Sequence, residues 1–274
     1  MKKPDPRILL TFDVEEFDLP LNYGTNLPVA QQMAAGKQGL DVVKKFIEER
    51  NINCTLFTTA NFALKYPCEI AKLSLTHEIA SHSFFHSSFN REDLFNSRQV
   101  LEDITSKKVY GIRMPRMKKI EAGWIKQAGY LYDSSVNPTW IPGKYNHFRL
   151  PRTCYEENGL MRVPASVSAN FRIPLYWLSF KNLPYAYFKK LALQSLNKDG
   201  LLSLYFHPWE FIDLSSYALP LVIKRKSGNE LLEKLHKLIT DLENEGEFST
   251  MHSYLERYNY IRTGAKAKAY LKYS

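Results

Sequence analysis

Four short segments of this chain carry side chains able to do chemistry. In Thr11-Phe12-Asp13-Val14-Glu15-Glu16-Phe17, three acids fall within four positions, directly after the apolar run Ile8-Leu9-Leu10. Carboxylates close to a core are costly unless paired or bound to a cation, so acids where a strand emerges mark a candidate site. Ser81-His82-Ser83-Phe84-Phe85-His86 sets two imidazoles four positions apart, the spacing that presents two nitrogens from one side of a helical turn to a zinc-like ion. Asp13 or Glu15 supplies the carboxylate of a two-histidine, one-acid site. These two acids are two positions apart, so in a regular strand they point the same way. One can bind metal while the other handles a proton, which is the division of labour of metal-assisted hydrolysis.

Two more segments supply partners. Arg113 lies in Gly111-Ile112-Arg113-Met114-Pro115, held extended ahead of the proline, where it can pair with a catalytic acid. His207 in Tyr205-Phe206-His207-Pro208-Trp209-Glu210 is likewise biased to extended backbone and can donate a proton to a leaving group. Glu210 or Asp133 is available to orient either group. Trp209, Trp177, Tyr176 and Phe171 read as core aromatics or as ring contacts for a sugar.

The elements needed to position these residues are legible in outline. Residues 20–38, rich in Pro, Asn, Gly and Gln, read as a loop, and Leu40, Val43, Phe46 and Ile47 then give a helix to about Arg50. Short strands are expected at residues 54–58, 79–81 and 109–112. Asn90 is expected to cap a helix carrying Leu94, Leu101 and Ile104, and residues 120–129 form a helix closed by Gly129. Tyr130 opens another strand, residues 137–160 read as an irregular insertion, and residues 162–167 as a strand. A loop enters a helix near Pro184, residues 201–206 form a strand delivering His207, and Leu231, Leu235, Leu238 and Leu242 mark an amphipathic helix. Residues 248–251 read as a last strand. Strand and helix thus alternate about seven times with no repeat or linker, predicting a single α/β domain, an open parallel sheet or a (β/α) barrel. All four chemical segments leave a predicted strand. Sites in such barrels assemble at the C-terminal strand ends, so the four can meet.

Composition narrows the class of protein. The 274 residues are 45% hydrophobic and 14% aromatic, enough for a substantial core. No stretch reaches the roughly 18–20 apolar residues of a membrane span, and the basic start lacks the apolar region of a leader, so a cytoplasmic protein is expected. Cys54, Cys68 and Cys154 are far apart and form no CxxC pair, which fits reduced thiols. The net charge of +9 lies largely in Lys224-Arg225-Lys226 and in a basic tail from about residue 260. It suits an anionic glycan, a lipid-linked sugar diphosphate or peripheral contact with an anionic membrane surface. No nucleic-acid-binding motif accompanies it, and no nucleic-acid partner is expected. Oligomeric state leaves no signature in the sequence.

Taken together, Thr-Phe-Asp (11–13), Ser-His-Ser-x-x-His (81–86), Arg-x-Pro (113–115) and His-Pro (207–208) resemble the polysaccharide deacetylases of carbohydrate esterase family four, in order and spacing over nearly the whole chain. The Asp-Val-Glu start, residues 132–135, residues 171–174 and His-Pro-Trp-Glu are closer to a branch associated with bacterial exopolysaccharide assembly. The resemblance implies a distorted seven-stranded (β/α) barrel and a divalent metal, usually zinc. It makes Asp13 the catalytic base, His82 and His86 metal ligands, Arg113 the residue that orients the base, and His207 the general acid. Position 14 is Val where most members have a second, metal-binding aspartate, so Glu15 must supply that ligand. Position 116 is Arg where an aromatic is frequent. The implied activity is hydrolysis of a carbon–nitrogen bond other than a peptide bond: removal of an N-acetyl group from an amino sugar of a bacterial polysaccharide or its lipid-linked precursor. A metal-independent cyclic-amide hydrolase and a non-catalytic glycan-binding protein are the rival readings.

Overall fold

The computed structural model describes residues 5–143 and 145–257, and the basic tail expected from about residue 260 lies outside them. Its central strand is β1 (Arg7–Val14), in which every residue is buried. Period-two alternation divides the strand between two environments. Ile8, Leu10, Phe12 and Val14 enter the large core beneath the helices, whereas Leu9 packs with Phe57, Ala80 and Tyr132 in a second cluster.

The chain continues through α1 (Val29–Arg50), β2 (Thr55–Thr58), α2 (Ala60–Lys65), α3 (Pro67–Leu73), β3 (Glu78–Ser81) and α4 (Asp93–Thr105). There follow β4 (Gly111–Ile112), α5 (Ala122–Gln127), β5 (Tyr132–Asp133), the hairpin β6 (Trp140–Ile141) and β7 (Tyr145–Asn146), then β8 (Tyr155–Glu157) and β9 (Leu160–Arg162). The last elements are α6 (Trp177–Asn182), α7 (Tyr185–Asp199), β10 (Leu201–Phe206), α8 (Leu221–Lys224), α9 (Asn229–Leu242), β11 (Glu247–Phe248) and α10 (Met251–Arg257).

The main sheet runs β10-β1-β2-β3-β4-β5-β9-β8, with β11 added to the start of β1. Seven of these strands, β10 through β9, are mutually parallel, and β8 alone joins antiparallel, to β9. The sheet curls until its two ends approach: Ser166 N–H donates to the Ser203 carbonyl at 2.9 Å, and Ser203 N–H to Ser166 Oγ at 2.8 Å. This is the expected distorted α/β barrel, closed at one seam by a single backbone bond and a serine.

Several local expectations are corrected. Helix α1 starts at Val29, inside the stretch read as a loop, because Gly36 and Gly39 act there as contact surfaces. A Cβ on Gly36 would stand 2.3 Å from the Glu15 carbonyl oxygen, and one on Gly39 would stand 2.3 Å from that of Pro208. The helix therefore presses directly on the backbone of two site segments. The strand expected at residues 162–167 lies at Leu160–Arg162, paired with β8 from the segment read as irregular. Asn90 gives no side-chain cap; its N–H instead donates to Asp93 Oδ2 at 2.7 Å. The last strand ends at Phe248, and Met251 opens a helix.

Candidate active site

At the C-terminal ends of the strands the four segments meet. β1 points Asp13 inward, and the turn after it brings Glu15 to the same mouth, while Val14 goes into the hydrophobic core. An acid at position 14 would be on the wrong face of this strand. A glutamate one residue later, with a longer side chain, returns a carboxylate to the cavity.

Asp13 is clamped. Arg113 Nη1 donates to Asp13 Oδ1 at 2.7 Å and to Thr11 Oγ1 at 2.9 Å, and Arg113 Nε and Nη2 donate to the carbonyl and hydroxyl of Ser134 at 3.3 and 3.0 Å. The guanidinium is wholly buried, lying 4.1 Å over the Phe57 ring and 5.0 Å over that of Tyr205. Ser135 Oγ accepts the Met114 N–H at 2.8 Å, so the Asp133-Ser134-Ser135 segment fixes both Arg113 and the backbone after it. Asp133 itself pairs with Arg162 and accepts from Ser135; it orients neither Asp13 nor His207.

His207 is oriented by Glu210. Glu210 Oε1 lies 3.0 Å from His207 Nδ1 and accepts the His207 backbone N–H at 2.8 Å, which turns Nε2 towards Asp13 Oδ2 at 3.8 Å. The 3.8 Å gap is too wide for a direct hydrogen bond. Trp209 stacks on the imidazole at 4.8 Å and Trp177 meets it edge-on at 5.2 Å. Burial alone would lower the pKa of His207; the Glu210 bond and the charges of Glu15, Glu210 and Asp13 outweigh it and raise the pKa above the usual 6.5. Behind Glu210 lies Lys181, also wholly buried, its Nζ 3.9 Å from Oε2.

His82 and His86 converge, although not from a helix. Residues 82–92 are irregular, and Ser83 takes left-handed backbone at φ 65°. The loop is held from β1's exit: Glu16 Oε1 accepts the His86 N–H at 3.1 Å, and Glu16 Oε2 accepts from Thr59 Oγ1 at 2.7 Å. Asp18 Oδ1 meets His86 Nδ1 at 2.6 Å, leaving Nε2 turned to Glu15. Glu16 and Asp18 were not singled out from sequence, and their only signal was the density of acids after β1.

Glu15 Oε2 lies 3.1 Å from His82 Nε2 and 3.3 Å from His86 Nε2. Yet Glu15 Oε2 and His82 Nε2 are buried with no aligned hydrogen-bond partner. Ligands about 2.0–2.1 Å from a tetrahedral ion stand roughly 3.3 Å apart, which is the spacing of Glu15 Oε2 from each imidazole nitrogen. Carboxylate plus two imidazoles is a borderline-soft donor set suited to zinc. The three residues fit a divalent metal and could hold one. Burial raises the Glu15 pKa, but the nearby imidazoles of His86, His207 and His82 overcome it and keep the carboxyl far below its usual range. His86 is raised to about 9, against burial, by Glu15 and Asp18.

Asp13, Glu15, His86 and His207 open on a cavity of about 420 Å³ lined also by Tyr145, Tyr176, Trp177, Tyr205 and Trp209. Phe171, grouped with these aromatics in the sequence, is 77% exposed and does not line it. No helix among the described residues is long and apolar enough to cross a membrane.

No family model matches the chain, and no curated protein matches its sequence. Solved structures match its shape. A Mycobacterium smegmatis protein assigned as a polysaccharide deacetylase aligns with TM-score 0.63 at 18% identity, covering 96% of this chain and 94% of its own. The PuuE allantoinase aligns with TM-score 0.64 at 14% identity over 95% of each chain. A Pseudomonas aeruginosa protein assigned as a polysaccharide deacetylase aligns with TM-score 0.60 at 15% identity over 90% of each. The chain therefore has the curled α/β fold shared by these deacetylases and an allantoinase.

Proposed function

We propose that this protein is a metal-dependent hydrolase that removes N-acetyl groups from amino sugars of a bacterial polysaccharide or its precursor. The observation that carries the reading is Asp13 Oδ2 facing His207 Nε2 across 3.8 Å, beside the converging atoms of Glu15, His82 and His86.

Glu15, His82 and His86 would hold a divalent ion, with zinc the ion expected, which when bound would supply polarisation of a carbonyl and activation of water at neutral pH. Asp13 is the base. Its Oδ1 is occupied by Arg113, so Oδ2 is the atom free to take the proton of an attacking water. Arg113 and Thr11 hold that carboxylate in one orientation. His207 is the acid: with Nδ1 committed to Glu210, Nε2 carries the proton that goes to the departing amine. As the C–N bond breaks, acetate and a free amino sugar result. Trp177 and Trp209 exclude water from the imidazole, and Tyr145 and Tyr176 offer ring faces to a sugar.

The fold shared with an allantoinase keeps a second reading open, hydrolysis of a cyclic amide. The ligand-like spacing around Glu15 favours metal-dependent deacetylation over the metal-independent form. The basic net charge agrees with a polyanionic or lipid-linked glycan and with a cytoplasmic, membrane-peripheral place of action.

The test is acetate release from N-acetylglucosamine oligomers by zinc-loaded protein. Wild type is expected to release acetate, to lose activity to a chelator and regain it with zinc, and Asp13→Asn to be slower by about a thousandfold or more. Asp13→Asn releasing acetate at the wild-type rate would falsify the assignment.

A further inference from the structure

Beyond the acetyl site the chain builds a second groove. After Met114, the Pro115-Arg116-Met117 turn closes by Met117 N–H to the Met114 carbonyl and Lys118 N–H to that of Pro115, both 3.1 Å. Arg116 and Met117 both adopt left-handed backbone, at φ 57° and 55°. This conformation is unfavourable for residues with a Cβ, and it persists where the surroundings over-determine it, often at ligand clamps. Here it sets Arg116 and Met117 on a wall shared by two cavities. The second, of about 600 Å³, adjoins the acetyl site, and His86, Arg116, Met117 and Tyr145 line both.

The second groove is positively charged. Arg116, Lys118 and Lys119 line it, and among its described lining residues none is an acid. Neutralisation from outside is partial. Arg116 touches Asp18 Oδ2 at 3.3 Å with half of its side chain still exposed, Lys119 lies 3.7 Å from the partly exposed Glu157, and Lys118 sits over the Phe89 ring at 4.8 Å. His147, stacked on Tyr145, has its pKa lowered by burial and next by Lys119, so its own imidazole adds no charge at neutral pH. Three cations beside a ring surface, one of them a guanidinium able to grip an oxyanion with two N–H groups, match a charged saccharide unit.

Resting on the deacetylase reading of the first cavity, we propose that this groove binds an anionic oxo group, carboxylate or phosphate, on the part of the substrate next to the N-acetyl sugar. Arg116, Lys118 and Lys119 are its cations. The substrate class is thereby narrowed to acidic glycans or sugar phosphates.

Three probes test this by acetate release: neutral tri-N-acetylchitotriose, a hyaluronan tetrasaccharide bearing carboxylates, and UDP-N-acetylglucosamine bearing a diphosphate. One anionic probe is expected to show kcat/KM about tenfold above the neutral one, an advantage that shrinks with added salt. In a Lys118→Glu/Lys119→Glu variant the charged-to-neutral ratio is expected to fall by about tenfold or more. The probe that gains identifies the source of the anion. Equal kcat/KM on all three, or a ratio that the variant leaves unchanged, overturns the groove and leaves deacetylation standing. Should no probe release acetate, the deacetylase reading fails, and titration calorimetry with the two anionic probes decides the groove separately. Binding that the variant abolishes supports it, and no binding to wild type overturns it.

Discussion

The indole N–H of Trp209 donates to Glu15 Oε1 at 2.9 Å, while the same ring stacks on His207 at 4.8 Å. One side chain thus braces both Glu15, the proposed metal ligand, and the imidazole of His207, the proposed acid. Trp209→Phe keeps the ring and removes the donor. Zinc affinity is expected to fall by about 10–100-fold, the usual cost of losing a partner that orients a ligand. Competition with a fluorescent chelator measures it, and unchanged affinity would show that the bond does not orient Glu15.

The acid role proposed for His207 sets a pH dependence. In that role its protonated form is the active one, present below its pKa and lost as pH rises through it. Because that pKa is raised above 6.5, the alkaline limb of kcat/KM is expected above pH 6.5. Glu210→Gln removes the hydrogen-bonded charge and should move the limb to lower pH. Lys181→Met, which leaves Glu210 without its buried countercharge, should also displace it. A limb that stays in place in both variants would rule out His207 as the titrating acid.

The Arg113–Asp13 pair is almost fully buried. Arg113→Met strands the Asp13 carboxylate and is expected to cost about 3–5 kcal/mol in denaturant unfolding. Adding Asp13→Asn to that variant should recover part of the loss, because no buried charge is then left alone. Additive losses would mean that the two side chains are not energetically coupled.

Gly36 tests the contact between α1 and the site. Gly36→Ala would put a methyl 2.3 Å from the Glu15 carbonyl oxygen, backbone that cannot swing aside. A loss of about 1–3 kcal/mol is expected even though alanine is the better helix former, along with weaker zinc binding. A thermal melt showing a stabilised variant would mean that the helix is free to retreat.

Legibility of the fold followed the range of each signal. The apolar runs of β2, β3 and β10 are short-range patterns that place each strand to within a residue, whereas β1 continues four residues past Leu10 to Val14, because Thr11 and Asp13 are buried on Arg113. The strand near 160 was misplaced because β8 and β9 form a hairpin with mixed polarity, in which Arg162 is buried by pairing with Asp133. The start of α1 was missed because residues 29–39 carry small and polar side chains whose use is close approach to other backbone.

The sequence by itself determined which side chains are available: Asp13, Glu15, His82, His86, Arg113 and His207, each next to the end of a strand. In a parallel sheet, strand ends of one sense gather at one mouth, so their meeting follows from local pattern and topology. Only the tertiary structure decided which partner each residue keeps. It chose Glu210 over Asp133 for His207, gave Asp18 to His86, sent Val14 into the core and put Lys181 behind Glu210. Those choices rest on strand register and on contacts between positions far apart in the chain, for which no one-dimensional spacing carries a signal.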